Sequence, residues 1–244
     1  MLSNQELYEQ KEVVEKYAAN TTRLRVLNES EKFLIDKFDV KNKRVLILGS
    51  GAGRVPANLL LFGNTVVGVE LSESLYQASL KNFPKEKFVD LDLRLGDARD
   101  LKNIPDESFD LVWFPQNGLD YVPNYEERKK VLQEMKKKVK TGGLVIFSSH
   151  NKRAYIYSPK VSFKNKQFKN FGAGYYYAAE HVVGGGTIFK GDPDFIIEET
   201  EKNTGLKFVG FTVDARNKMD RLLMRKFQLS KYIFPYIQYI FKKV

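Results

Sequence analysis

Cysteine is absent from the 244-residue chain, and histidine occurs only twice, as His150 and His181. The first absence excludes disulfides and thiolate zinc sites, and the second excludes a three-histidine metal centre. Metal-dependent chemistry is disfavoured, and no residue is assigned as a metal ligand. Apolar residues never run to the length that a membrane-spanning helix needs. The opening MLSNQELYEQKEVVEKY lacks the apolar core of a secretory signal, so the expected location is the cytoplasm. Acidic residues are missing from one long interval. None lies between Glu134 and Glu180, whereas Lys136, Lys137, Lys138, Lys140, Lys152, Arg153, Lys160, Lys164, Lys166 and Lys169 all fall there. This interval contributes to the excess of 40 Lys+Arg over 30 Asp+Glu, a net charge of +10. Such a block is either a solvated face or a surface for nucleic acid, an anionic membrane or a phosphorylated small molecule.

What is present is an alternation of short apolar runs with helical patterns. RVLIL, TVVGVEL, LDLRLGD, FDLVWF and GLVIFSS read as five strands, with helices expected over 54–62, 72–83 and 124–139. Strands apolar on both faces with helices between them imply a doubly wound, mostly parallel α/β sheet. In the third of those helices Asn124 is the expected cap, and Leu132, Met135 and Val139 the buried stripe. Gly142 and Gly143 are the expected stop, and the lysines a solvated face. Residues 4–38 read as two helices. After residue 150 the pattern loosens into an aromatic, lysine-rich insertion, followed by a helix at 193–203 and a sixth strand in LKFVGFTVDAR. The tail FPYIQYIFKKV is too short to cross a bilayer and suits a closing seventh strand.

Gly49, Gly51 and Gly53 stand at alternate positions between the first strand and a helix opening near Arg54. Glycines there let the backbone turn sharply and approach a ligand. The dinucleotide fingerprint would place its third glycine at position 54, which is arginine, so the loop alone does not name a ligand. Downstream anchors narrow the choice. Glu70 ends the second strand, where a carboxylate accepts from the ribose hydroxyls of an adenosine, and Leu71 follows where it can lie on the adenine face. Asp97 ends the third strand, placed to accept from an adenine amino group, with the Ala98 N–H available to a ring nitrogen. Pro115 and Asn117 after the fourth strand complete the candidate contacts.

These motifs, LILGSGAGR, VVGVELSESLYQAS, LGDARDL, FDLVWFPQNGLDYV and VKTGGLVIFSSHN, resemble those of the class I S-adenosylmethionine-dependent methyltransferases over about residues 40–150. The resemblance implies a seven-stranded sheet with a reversed last strand and S-adenosylmethionine as cofactor, leaving as S-adenosylhomocysteine. It also implies that Gly49, Ser50 and Gly51 approach the methionine part, Glu70 the ribose, and Asp97 with Ala98 the adenine. Many members have an acid before the first glycine, where this chain has Leu48. The chain is then one domain in four parts. A helical lid spans 1–40, a cofactor-binding core 41–150 and a basic aromatic acceptor cap 151–191, with the last helix and closing strands over 192–244.

Methyl transfer asks the protein to align acceptor and cofactor and, for a hydroxyl acceptor, to remove a proton. His150, just past the fifth strand, is the first candidate base, because imidazole titrates near neutrality. His181 is the second and Asp120 the third. No D/N-P-P-Y pattern follows the fourth strand, which disfavours adenine N-methylation. Tyr8, Tyr17, Arg23 and Arg25 either reach the site or pack against the sheet edge. The leading expectation is O-methylation of a small sugar-like or phosphorylated acceptor, held by lysines and aromatics of the insertion. NGLDYV and FSSHN are also similar to methyltransferases associated with surface-polysaccharide and glycolipid enzymes. Two alternatives stand beside it: an RNA methyltransferase with Tyr175, Tyr176 or Tyr177 stacking a base, and a non-catalytic scaffold.

Overall fold

β1 (Arg44–Leu48) carries four consecutive aliphatics, Val45 to Leu48, all fully buried. A strand buried on both faces needs cover above and below, and parallel neighbours on each side supply its position in the sheet. These are β2 (Thr65–Glu70) and β4 (Phe109–Phe114), while β3 (Leu91–Leu95) pairs in parallel with the far edge of β2. β5 (Val139–Asn151) runs parallel to β4. The computed structural model describes residues 3–19, 27–154, 174–179, 186–213 and 227–244.

The tail is a strand, as its β-branched and aromatic composition predicts. β9 (Tyr236–Lys242) runs antiparallel to β5, and β8 (Lys207–Thr212) antiparallel to β9. The main sheet therefore reads β3-β2-β1-β4-β5-β9-β8. Within the insertion, β6 (Gly174–Ala179) and β7 (Gly186–Gly191) form an antiparallel hairpin, and β7 pairs in parallel with β5 at His150 and Asn151. β9 already flanks β5 as far as His150, so β7 takes the other side, beyond the end of β4 at Phe147.

Helices cover both faces. α1 (Asn4–Tyr8), α2 (Lys11–Ala19) and α3 (Glu29–Lys37) replace the two helices expected over residues 4–38. Capping boxes begin two of them, Ser3 with Glu6 and Asn28 with Glu31, each satisfying backbone donors that a helix start leaves open. α4 (Arg54–Leu59) passes into a 3-10 turn at Leu60–Phe62, and α5 (Glu73–Asn82) follows β2. α6 (Tyr125–Lys138) is capped by Asn124 as expected, and buries Val131, Leu132 and Met135. α7 (Pro193–Thr204) and α8 (Phe227–Ile233) complete the set among the described residues.

Two expectations about α6 change. The helix ends at Lys138, and Gly142 and Gly143 lie inside β5. Pairing with β4 starts at Val139 opposite Phe109 and resumes at Leu144 opposite Leu111, so the glycines occupy the register shift. A side chain at Gly143 would meet the Asp110 carbonyl at 2.8 Å. The α6 lysines are not all solvated: Lys138 is buried against Asp106 at 2.6 Å, while Lys137 pairs with Glu134 and Lys140 with Asp110.

Candidate functional site

The loop after β1 is shaped by its glycines. Gly49, Gly51 and Gly53 adopt φ of +59°, +57° and +93°, the left-handed region where a Cβ is strained. At Gly49 a Cβ would also stand 2.5 Å from the Phe114 ring, whereas at Gly51 nothing lies within 4 Å. Leu48, just before the first glycine, is fully buried in the strand. Glu70 reaches the loop from the end of β2. Its Oε2 accepts from the Gly51 N–H at 2.7 Å and its Oε1 from the Ser72 N–H at 2.9 Å. Burial pushes the Glu70 carboxyl up, and the backbone donors of Ser72 and Gly51 oppose that shift without cancelling it.

This loop opens into a cavity of about 490 Å³ along the carboxyl edge of the sheet, within the usual range of small-molecule sites. Gly49, Gly51, Glu70, Leu71, Asp97, Ala98 and Pro115 line it, seven of the nine expected cofactor contacts. Ser50 and Asn117 do not. The backbone N–H of Ser50 donates to Val69, and that of Asn117 donates to the Ser148 hydroxyl at 2.6 Å. Asp97 is held by a partner that sequence reasoning missed. Arg99 donates to it from Nε, Nη2 and the backbone N–H, and these bonds outweigh burial and keep the carboxyl below its ordinary range.

The N-terminal helices cover the mouth of the cavity, with Ser3, Gln5, Tyr8 and Tyr17 in its wall. The Ser72 hydroxyl donates to the Tyr8 carbonyl at 3.0 Å, and Glu9 accepts from the Ser74 N–H and hydroxyl, which pins α1 to the start of α5. The Tyr8 ring meets Tyr17 and Tyr121 edge-on, at 5.7 and 5.6 Å between centroids. Burial raises the phenol of Tyr8 well above its ordinary range and pushes that of Tyr121 up to about 12. Arg23 and Arg25 lie outside the described residues.

Beside this wall, at the end of β5, His150 and Asp120 meet. Asp120 sits in the 3-10 turn Gly118–Tyr121 that follows β4 and is completely buried. Its Oδ1 accepts from Arg128 Nη1 at 2.8 Å and from the Ser149 hydroxyl at 2.7 Å. Its Oδ2 faces the His150 backbone N–H at 2.6 Å and ring Nδ1 at 2.7 Å. An ionised carboxylate only accepts, so Nδ1 carries the hydrogen and Nε2 is the basic nitrogen of the neutral ring. The ring packs edge-on against Tyr236 at 5.0 Å. Both oxygens of Asp120 are thus engaged, and the carboxylate holds the ring and the main chain of the histidine together. Arg128 was not foreseen, although its place four residues before Leu132 puts it on the apolar stripe of α6, where a buried arginine demands a carboxylate. His181 lies outside the described residues.

The comparisons with known proteins bear on the fold and the domain. The family described as "Methyltransferase domain" matches residues 46–147. The chain is 31% identical over 126 residues to a ubiquinone biosynthesis O-methyltransferase of Pseudomonas syringae pv. tomato, covering 50% of this chain and 52% of that protein. A protein of the same name from Coxiella burnetii is 27% identical over 129 residues, with 52% and 53% covered. The chain thus spans about half the length of the curated relatives it matches. Among solved structures, the CcbJ methyltransferase of Streptomyces caelestis superposes with a TM-score of 0.65 at 15% identity over 98% of both chains. The glycopeptide N-methyltransferase MtfA, solved with sinefungin, superposes at 0.62 with 15% identity over 91% of this chain and 96% of that one. Residues 46–147 thus match a methyltransferase domain, and the sheet order with the glycine loop and its Glu70 anchor gives them the fold that the S-adenosylmethionine-dependent methyltransferases share.

Proposed function

We propose that this protein transfers a methyl group from S-adenosylmethionine to a hydroxyl of a small molecule, with His150 as the proton acceptor. The observation that carries the reading is the pairing of His150 Nδ1 with buried Asp120 at the same sheet edge as the glycine-loop cavity. The cavity fits the cofactor. Gly51 leaves open space at a left-handed turn, and the two Glu70 oxygens, held by backbone donors of the loop and of the start of α5, retain capacity for ribose hydroxyls. Ala98 and Leu71 flank the position for adenine, and Pro115 closes the far side. Bound there, the cofactor supplies an electrophilic methyl on a sulfonium sulfur.

The residues of the chain then have one chemical task, to make the acceptor oxygen nucleophilic. His150 Nε2 takes the hydroxyl proton, and Asp120 holds the ring in the required tautomer and balances the imidazolium that results. The name of the curated relatives supports oxygen as the acceptor atom. A sugar-like or phosphorylated acceptor is the finer part of the proposal, and the basic, aromatic composition of the insertion over 151–191 supports it. The RNA alternative loses part of its support, because Lys137, Lys138 and Lys140 are engaged by Glu134, Asp106 and Asp110.

The test is a methyl-transfer assay with 13C-methyl-labelled cofactor against sugars, sugar phosphates, nucleotide sugars and phenols. A new O-methyl carbon signal that disappears in His150→Ala supports the reading. Labelled product on nitrogen, or product formed equally well by His150→Ala, overturns it.

A further inference from the structure

Gln116 is a polar side chain of the cavity wall to which the proposed reaction gives no task. It follows β4 with φ of +56°, and Asn117 beside it has φ of +58°. Two consecutive left-handed residues that carry side chains are strained, and such backbone persists only where the surrounding structure enforces it. Here the Asn117 N–H donates to the Ser148 hydroxyl at 2.6 Å, and the Gly118 N–H closes the turn onto the Pro115 carbonyl at 3.1 Å. The turn sets Gln116 between α3 and the cavity.

Glu31 decides how the Gln116 amide is oriented. It is completely buried on α3, where Arg54 grips its two oxygens at 2.6 and 2.8 Å and the Asn28 N–H donates to it at 2.8 Å. Gln116 Nε2 donates to the same carboxylate at 3.0 Å. An ionised carboxylate only accepts, so the amide nitrogen must be the end turned towards Glu31 and the amide oxygen the end turned away from it. The Gln116 side chain is otherwise exposed, and among the described residues no hydrogen bond takes up that oxygen.

The sheet order tells which part of the cofactor comes near. The strands run β3-β2-β1-β4, and the cavity follows their carboxyl ends. With adenine at Asp97 after β3 and the ribose at Glu70 after β2, the amino-acid end of the cofactor falls at β1 and β4. From the glycine loop and the end of β4 the cavity takes Gly49, Gly51, Phe114, Pro115 and Gln116. Of these five, Gln116 alone has a polar side chain.

We propose that the Gln116 amide oxygen accepts from the α-ammonium of the cofactor's methionine part. The inference rests on the cavity as the cofactor site and is independent of His150. An ammonium only donates, and an amide oxygen whose nitrogen is held by a buried carboxylate is fixed as its acceptor. This also accounts for a side chain at a left-handed position that glycine would occupy without strain.

The experiment reads binding alone. The full chain is titrated by calorimetry with S-adenosylhomocysteine and with its desamino analogue, in which hydrogen replaces the α-amino group and the carboxylate is kept. The expected result is at least tenfold tighter binding of S-adenosylhomocysteine, with that preference lost in Gln116→Met while affinity for the desamino analogue is retained. Gln116→Gly is expected to lose the preference as well and to keep its melting temperature, because the turn is relieved, so it serves if Gln116→Met does not fold. Glu70→Ala weakens both compounds alike if the cavity is the cofactor site, which reads a failure of that assignment separately. Equal affinity of the unmodified protein for the two compounds, or a preference retained in both Gln116 variants, overturns the proposal.

Discussion

One oxygen of Asp120 serves His150 twice: Oδ2 lies 2.6 Å from its backbone N–H and 2.7 Å from its ring Nδ1. Main chain and imidazole are thus fixed by a single buried carboxylate, which Arg128 and Ser149 hold from the other oxygen. His150→Ala removes the basic nitrogen and leaves this frame standing. It is expected to lower kcat by about 10²- to 10⁴-fold, the usual contribution of a positioned base, with S-adenosylhomocysteine affinity unchanged by calorimetry. Asp120→Asn is expected to lower kcat too and, unlike His150→Ala, to cost about 3–5 kcal/mol of stability, because Arg128 is left buried without its carboxylate. Chemical denaturation separates the two.

The glycine loop makes a paired prediction. Gly49→Ala and Gly51→Ala both force a left-handed φ on alanine, a strain of about 1–2 kcal/mol. Only the first also drives a methyl into the Phe114 ring. Gly49→Ala should therefore be the less stable variant in thermal melts, while Gly51→Ala keeps most of its stability and weakens cofactor binding by occupying the cavity.

Glu70→Ala withdraws the acceptor from the Gly51 and Ser72 N–H groups as well as from the proposed ribose. Cofactor affinity is expected to fall at least tenfold, with a stability loss of about 1–3 kcal/mol for the orphaned donors. Unchanged affinity by calorimetry would remove Glu70 from the cofactor site.

Glu199, on α7, makes a prediction about pH. Burial pushes its carboxyl up to about 7, against an opposing hydrogen bond from Asn203. A folded-state pKa above the unfolded one means that the native state binds the extra proton between about pH 4.5 and 7. The stability this group contributes is present below that window and is lost as pH rises through it. Glu199→Gln should therefore raise the melting temperature at pH 8 and leave it nearly unchanged at pH 4, as a pH series of thermal melts would read.

How far the sequence was legible varied with the reach of the interaction. The RVLIL run, the three glycines and the acid at the end of β2 are local signals, and each lies where the pattern placed it. The stop of α6 was wrongly assigned to Gly142 and Gly143, because pairing of Val139 with Phe109 and of β5 with β9 draws these residues into β5, and both partners are distant in the chain. Asp97 was legible as a strand-end acid, but its engagement by Arg99 two residues on was not. His150 was legible as a candidate base, yet nothing near it in the chain announces Asp120, 30 residues upstream.

The most direct test of the account is calorimetric titration of the purified protein with S-adenosylmethionine and S-adenosylhomocysteine, with NAD as a control. The account predicts micromolar binding of the first two, weakened at least tenfold in Glu70→Ala, and no binding of NAD. Binding of NAD, or of none of the three by a folded protein, would contradict it.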